Sequence, residues 1–205
     1  MKITRPLKNI RYKSAPEEIP LWFFEDVDLP AVDYSKLNWE SSRDSSLLVD
    51  EIYNKRDVAP WGLNETNPDV IQIRDIVDSI IGEIEKNHST NNLEIIWPMS
   101  TWNPCGCIDI KNDREGFNMG KHLDNRNIKW TFIMNLEDNE ESTIVHLDYF
   151  DAKDVTAARL KNSIHSPRKR GSGLMFFNHQ AMLHSIGSIS SHNRYIAFQM
   201  NTVTQ

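Results

Sequence analysis

Cysteine is scarce in this chain: 205 residues contain two, Cys105 and Cys107, with only Gly106 between them. Neighbours that close on a strand share a face but rarely meet disulfide geometry, so a disulfide-stapled scaffold is excluded. A C-x-C pair alone also falls short of the roughly four ligands of a structural zinc site, and both residues read as small buried apolar groups. Positive charge is short as well. Lys and Arg total 23 against 29 Asp and Glu, a net charge of −6. That makes the chain a poor general binder of polyanions. Its one basic run, Arg168-Lys169-Arg170, reads as a solvated loop. No apolar run approaches the roughly 18 residues of a membrane span. The start, Met1-Lys2-Ile3-Thr4-Arg5, is charged and lacks the apolar stretch of a secretory leader. A soluble, cytoplasmic protein is the expectation.

The length suits a single domain over residues 1–205, and the sequence shows neither repeats nor low-complexity tracts. Residues 1–90 read as an irregular and helical N-terminal part, and residues 91–205 as the core. Early in the first part, Leu21-Trp22-Phe23-Phe24 suggests a segment wrapped over that core, and Ser45–Asn54 suits a short helix. A stronger helix begins after Asn67-Pro68-Asp69, where Pro and Asp favour a first turn. Val70, Ile73, Val77, Ile80, Ile81 and Ile84 form one apolar face ending near Asn87, a face suited to packing on a sheet. Beyond residue 90, short apolar runs alternate with Asn, Gly, Asp and Ser. They predict strands near 93–97, 104–111, 116–123, 129–136, 142–150, 172–177, 182–187 and 193–201, with a shorter one near 159–165. The fold class is mainly β with a helical N-terminal buttress, a jelly roll or barrel.

Among seven histidines, two stand in His-x-Asp triplets, His122-Leu123-Asp124 and His146-Leu147-Asp148. Positions i and i+2 of a strand share a face, so either triplet can present a histidine and a carboxylate to one metal ion. A third ligand from a distant strand would complete a 2-His-1-carboxylate set, which leaves coordination positions open and suits non-haem Fe(II). His184 is placed to supply it. Arg194 follows after a Ser-, Gly- and Asn-containing turn and is suited to pairing with a carboxylate.

The region from Ile95 to Met200 resembles the double-stranded β-helix of the Fe(II)/2-oxoglutarate-dependent oxygenases, in particular the prolyl-hydroxylase-like branch. The stretches that carry the resemblance are Lys121-His122-Leu123-Asp124-Asn125, Trp130–Leu136, Gly171-Ser172-Gly173-Leu174-Met175-Phe176-Phe177, and Leu183-His184 with Arg194-Tyr195. It implies His122, Asp124 and His184 as metal ligands, and Arg194 as the residue that binds 2-oxoglutarate. Asn135 stands where a tyrosine often assists that arginine. Asn112 stands where the branch usually has another tyrosine, and Glu140-Glu141-Ser142 replace its Gly-Gly turn. The interval from His122 to His184 accommodates the intervening jelly-roll strands more comfortably than the interval from His146 does. His146 and Asp148 therefore read as decoys, and His165, His179 and His192 as loop or turn residues.

The resemblance implies a dioxygenase that uses Fe(II), 2-oxoglutarate and dioxygen. It would hydroxylate a small molecule or a peptide or protein side chain and release succinate and CO2. Two alternatives share the barrel. One is a nucleic-acid repair dioxygenase, which usually carries a second arginine soon after the first. Here the chain runs from Tyr195 to Gln205 without Arg or Lys. The other is a cupin-like metal-binding protein, against which Arg194 argues. Residues 151–170, with Arg159, Lys161, Arg168, Lys169 and Arg170, form a long connection. Together with Leu21–Phe24 they are expected to border the barrel mouth and favour an anionic or polar substrate.

Overall fold

A computed structural model describes residues 1–6, 11–12, 20–41, 55–61, 68–88, 94–96, 108–124, 130–147, 150–151, 163–178 and 182–203. The elements in chain order are β1 (Lys2–Thr4), β2 (Arg11–Tyr12), β3 (Leu21–Glu25), β4 (Glu40–Ser41), β5 (Arg56–Trp61) and α1 (Pro68–His88). Then come β6 (Glu94–Ile96), β7 (Ile108–Arg114), β8 (Met119–His122), β9 (Trp130–Asn135) and β10 (Thr143–His146). The chain closes with β11 (Phe150–Asp151), β12 (Ser163–His165), β13 (Gly173–Phe177), β14 (His184–Ile186) and β15 (His192–Val203).

Two antiparallel sheets form the body. The larger has the order β1-β3-β13-β9-β15-β7-β5-β4, with β6 also paired to β15. The smaller has the order β12-β10-β14-β8. One face of the large sheet meets α1. Ile73, Val77, Ile80, Ile81 and Ile84 of the helix lie in one cluster with Trp22, Phe24, Phe132, Met134, Met175 and Ile196. Its other face meets the small sheet, where Leu21, Phe23, Leu174 and Phe176 pack with Val145 and Met182. With both faces covered, β3, β9 and β13 lose the polar alternation of half-exposed strands and read as nearly continuous apolar runs.

That double coverage corrects the expectation for Leu21–Phe24. All four residues are buried, and β3 is an interior strand paired with β1 and β13 rather than a rim of the barrel mouth. The first 90 residues also contribute β1, β4 and β5 to the large sheet, so this part is more strand-like than expected. The expected helix over 45–54 and both cysteines lie outside the described residues, as do Asp148, His179 and residues 152–162. Among the described residues no helix is long and apolar enough to cross a membrane.

The turn into β13 depends on Gly171, whose φ is +71°. Its N–H donates to Asn135 O at 2.9 Å, and its C=O accepts from Val27 N at 3.0 Å. A side chain there would be strained by the dihedral and would run into the Val27 carbonyl. The three cations just before it are held locally. Arg168 donates to Glu140 O at 2.6 Å, Lys169 pairs with Asp138 at 2.6 Å, and Arg170 donates to Leu29 O and Pro30 O. These contacts fasten the turn. β12, which leads into it, lies at the edge of the small sheet opposite β8.

Candidate metal centre

The small sheet sets His122 directly opposite His184, because β8 and β14 pair antiparallel at that position before their register shifts. Their ring centroids are 4.2 Å apart. Asp124 follows two residues after His122, just past the end of β8. Its Oδ1 lies 3.6 Å from His184 Nε2 and 3.9 Å from His122 Nε2. Each residue offers one ligand atom, and the three atoms lie within 4.8 Å of one another.

Hydrogen bonding settles which nitrogen each ring offers. His122 Nδ1 lies 2.9 Å from Gly120 O, and His184 Nδ1 lies 2.9 Å from Met182 O. A carbonyl oxygen only accepts, so in the neutral rings the proton sits on Nδ1 and the Nε2 lone pair faces the shared space. This is the outer contact that orients metal-ligating histidines. Burial, aided by the charge of His184, lowers the His122 pKa to about 4, so the ring is neutral near pH 7. Phe176 meets the His184 ring edge-on at 5.0 Å and fixes its tilt.

Asp124 is held from its other oxygen. Thr131 on β9 donates its hydroxyl hydrogen to Asp124 Oδ2 at 2.5 Å. Thr131 Oγ1 also lies 2.9 Å from the Asn178 side-chain amide, whose nitrogen otherwise has no partner. One hydroxyl hydrogen cannot serve two acceptors, so the amide satisfies both observations when its NH2 faces Thr131. The chain Asn178→Thr131→Asp124 then leaves Oδ1 for the shared space. Burial alone would raise the Asp124 carboxyl, but His184, the Thr131 bond, His122 and Lys111 together hold it below its ordinary value.

The other expected site residues fall elsewhere. Ile196 faces the helix-side cluster, and Arg194, two residues before it on β15, shares that face. Its guanidinium donates to Glu137 at 3.0 Å and to Asn112 at 3.2 Å, and lies 4.5 Å from the centre of the Tyr34 ring. The expectation that Arg194 points into the barrel with Ile196 is thus corrected. The two do point together, but alternation aims both at the helical layer. Asn135 does face the small sheet, in a crevice shared with Thr143, Ile186, Asn193 and Tyr195. Its NH2 group already donates to Pro167 O and Ser172 Oγ, and its Oδ1 accepts from Asn139. An incoming carboxylate would have to displace one of these bonds.

Sequence reasoning missed a buried polar network beside the centre. Arg56 on β5 grips Asp113 on β7 through Nε at 2.5 Å and Nη2 at 3.0 Å. The Tyr195 hydroxyl accepts from Arg56 at 2.6 Å and donates to Asp113 at 2.8 Å. Arg56 also lies 4.2 Å from the centre of the Phe117 ring. Thr131 was missed too. Its signal was a polar residue interrupting an apolar strand, four positions before Asn135 on the same face. The histidine of the other triplet is engaged elsewhere: His146 Nε2 meets Ser185 Oγ at 2.8 Å.

The His-Asp-His cluster thus lies between a large and a small antiparallel sheet. The chain is similar in structure to a prolyl hydroxylase from Trichoplax adhaerens, solved in complex with a hypoxia inducible factor oxygen degradation domain peptide fragment. The TM-score is 0.52 at 14% identity, covering 71% of this chain and 62% of that one. The chain therefore spans less than two thirds of that protein's length. An oxidoreductase of the 2OG-Fe(II) oxygenase family from Burkholderia pseudomallei gives a TM-score of 0.49 at 11% identity, covering 82% of this chain and 73% of that one. The viral collagen prolyl hydroxylase of Paramecium Bursaria Chlorella virus-1, in its 2OG complex, gives 0.47 at 11% identity, covering 78% and 87%. No protein-family model and no curated protein matches the sequence. At this identity the likeness establishes the fold, that of the Trichoplax prolyl hydroxylase.

Proposed function

We propose that the chain is a single-domain Fe(II)- and 2-oxoglutarate-dependent oxygenase that hydroxylates a small molecule or a peptide side chain. The observation that carries this reading is the convergence of two Nε2 lone pairs and one carboxylate oxygen, each fixed by a hydrogen bond on its far side. Two imidazoles and one carboxylate suit Fe(II) and leave coordination positions for a co-substrate and dioxygen. His122, Asp124 and His184 would hold the ion. Fe(II) with 2-oxoglutarate would supply oxidative decarboxylation to succinate and CO2, coupled to insertion of oxygen into a substrate C–H bond.

The residues of this chain serve that chemistry by placement. The Gly120 and Met182 carbonyls fix the imidazole orientation by occupying Nδ1 and leave Nε2 turned to the shared space. Thr131 keeps one carboxylate oxygen occupied and the other available. The apolar packing of Phe176, Leu174 and Val145 behind His184 limits water between the sheets. The Trichoplax enzyme, similar in fold, binds a peptide fragment, and a peptide is accordingly one substrate class to be tried. The test is anaerobic loading with Fe(II), followed by addition of 2-oxoglutarate and dioxygen with succinate as the readout. Succinate formation that requires His122, Asp124 and His184 is expected. A folded, Fe(II)-loaded protein that forms none overturns the reading.

A further inference from the structure

His122 ends β8 and His184 begins β14, whereas the β7–β8 turn precedes β8 and the β14–β15 turn follows β14. The two turns therefore stand at the opposite end of this strand pair from the metal ligands. A third turn, β9–β10, meets them there. It carries Glu140-Glu141-Ser142, which replace the Gly-Gly turn of the resembling branch. The backbone of Glu140 is fixed on both sides. Its N–H donates to Asn193 Oδ1 of β15 at 2.9 Å, and its C=O accepts from Arg168 Nη1 at 2.6 Å.

From that position the Glu140 carboxylate crosses to the β14–β15 turn. Oε2 accepts from Ser190 N at 3.0 Å, Ser191 N at 2.9 Å and Ser191 Oγ at 3.1 Å, and Oε1 accepts from the Ser190 hydroxyl. Two successive backbone N–H groups aimed at one carboxylate form an anion nest. The same turn grips the β7–β8 turn. Ile189, which is buried, donates its N–H to Phe117 O at 2.9 Å, and its C=O accepts from Gly116 N at 2.7 Å. The strands beyond depend on this grip. β8 has four residues and β14 three. Among the described residues β8 pairs with β14 alone, and the register shifts between His122↔His184 and Met119↔Ile186. So short and irregular a ladder specifies its own register weakly, and a slip of one residue would turn His122 to the other face.

We propose that Glu140 is a positioning residue of the metal centre: by clamping the β14–β15 turn, and through it the β7–β8 turn, it sets the register of β8 on β14 and holds His122 opposite His184. This rests on the reading of His122, Asp124 and His184 as the metal ligands. Glu140 acts through Ser190, Ser191 and Ile189. The acidic turn thereby does what a Gly-Gly turn has no side chain to do.

The experiment measures Mn(II) affinity by titration, and the visible absorption of the Co(II)-loaded protein, on full-length wild type and variants shown to be folded by circular dichroism. Glu140→Ala is expected to weaken Mn(II) binding roughly three- to tenfold, the scale of coupling through a packed network, and to shift the Co(II) bands as the ligands move. Adding Ser190→Ala to Glu140→Ala should cost nothing further, because both act on one contact. Lys169→Ala breaks the neighbouring surface pair with Asp138 and should keep wild-type affinity. Glu140→Ala with wild-type affinity and an unchanged Co(II) spectrum overturns the proposal, even if its denaturant midpoint falls, since the contact would then be structural only. An additive loss in the double variant, or an equal loss in Lys169→Ala, overturns it too. If Glu140→Ala does not fold, Ser190→Ala decides: weakened Mn(II) binding supports the clamp and unchanged binding overturns it. Wild type that binds Mn(II) while the Glu140 variants match it leaves the metal centre standing, whereas wild type that binds no metal overturns the centre and the clamp together.

Discussion

Thr131 and Asp124 are joined by a 2.5 Å hydrogen bond between the two sheets, from a strand of the large sheet to the carboxylate that follows β8 of the small one. This bond selects the Asp124 oxygen that faces His122 and His184. Thr131→Ala should therefore weaken Mn(II) or Fe(II) binding about 10–100-fold, as loss of an outer contact to a ligand does. Thr131→Ser should restore most of it. Equal affinity in the alanine variant, measured by metal titration, would show that the carboxylate orients without its partner.

The Arg56–Asp113 pair is almost fully buried, with side-chain exposures of 5% and 0%. Removing one member leaves the charge of the other in the interior without its ion-pair counterpart. Arg56→Met or Asp113→Leu should each cost about 3–5 kcal/mol, read as a lowered denaturant midpoint. Tyr195→Phe removes hydrogen bonds and leaves the ion pair, and should cost about 1 kcal/mol.

The two His-x-Asp triplets separate cleanly by substitution. His146→Ala loses a contact to Ser185 and should retain one metal ion per chain. His184→Ala should lose the ion, since it removes one of the three converging donors. Loss of metal in His146→Ala would place the centre at the wrong triplet.

Alkaline pH acts on the outer face. Burial, with help from Glu137, raises the Tyr34 phenol from 10.0 to about 12. Folding therefore favours the protonated phenol. Its contribution is complete below pH 10.0 and is lost as pH rises through about 12, because the unfolded chain ionises first. Tyr34→Phe should flatten the fall of stability across that window, measured by denaturant midpoints at successive pH values. An unchanged slope would mean that the phenol is not shielded.

Much of the core was legible because its signals are local. The helix announced itself through Pro68, Asp69 and the apolar positions Ile73, Val77, Ile80, Ile81 and Ile84. The strands carrying the triad showed as short apolar runs between breakers, and the family resemblance, with the long interval to His184, pointed to His122, Asp124 and His184. Arg194 illustrates what pattern leaves open. Alternation puts Arg194 and Ile196 on one face, but which face looks inward depends on what packs there, a tertiary fact. Arg56 was missed for the same reason, since an arginine in a strand reads as solvated until a second sheet covers it. The Leu21–Phe24 stretch was misplaced because an apolar run reads alike in a wrapping segment and in a strand covered on both faces.

The most direct test is metal content by anaerobic Fe(II) titration of wild type and of the His122→Ala, Asp124→Ala and His184→Ala variants. Wild type should bind one ion per chain, and each substitution should abolish or severely weaken binding while the fold persists by circular dichroism. Wild-type protein without a site, or three variants that bind Fe(II) as wild type does, would contradict the assignment of these residues as the metal centre.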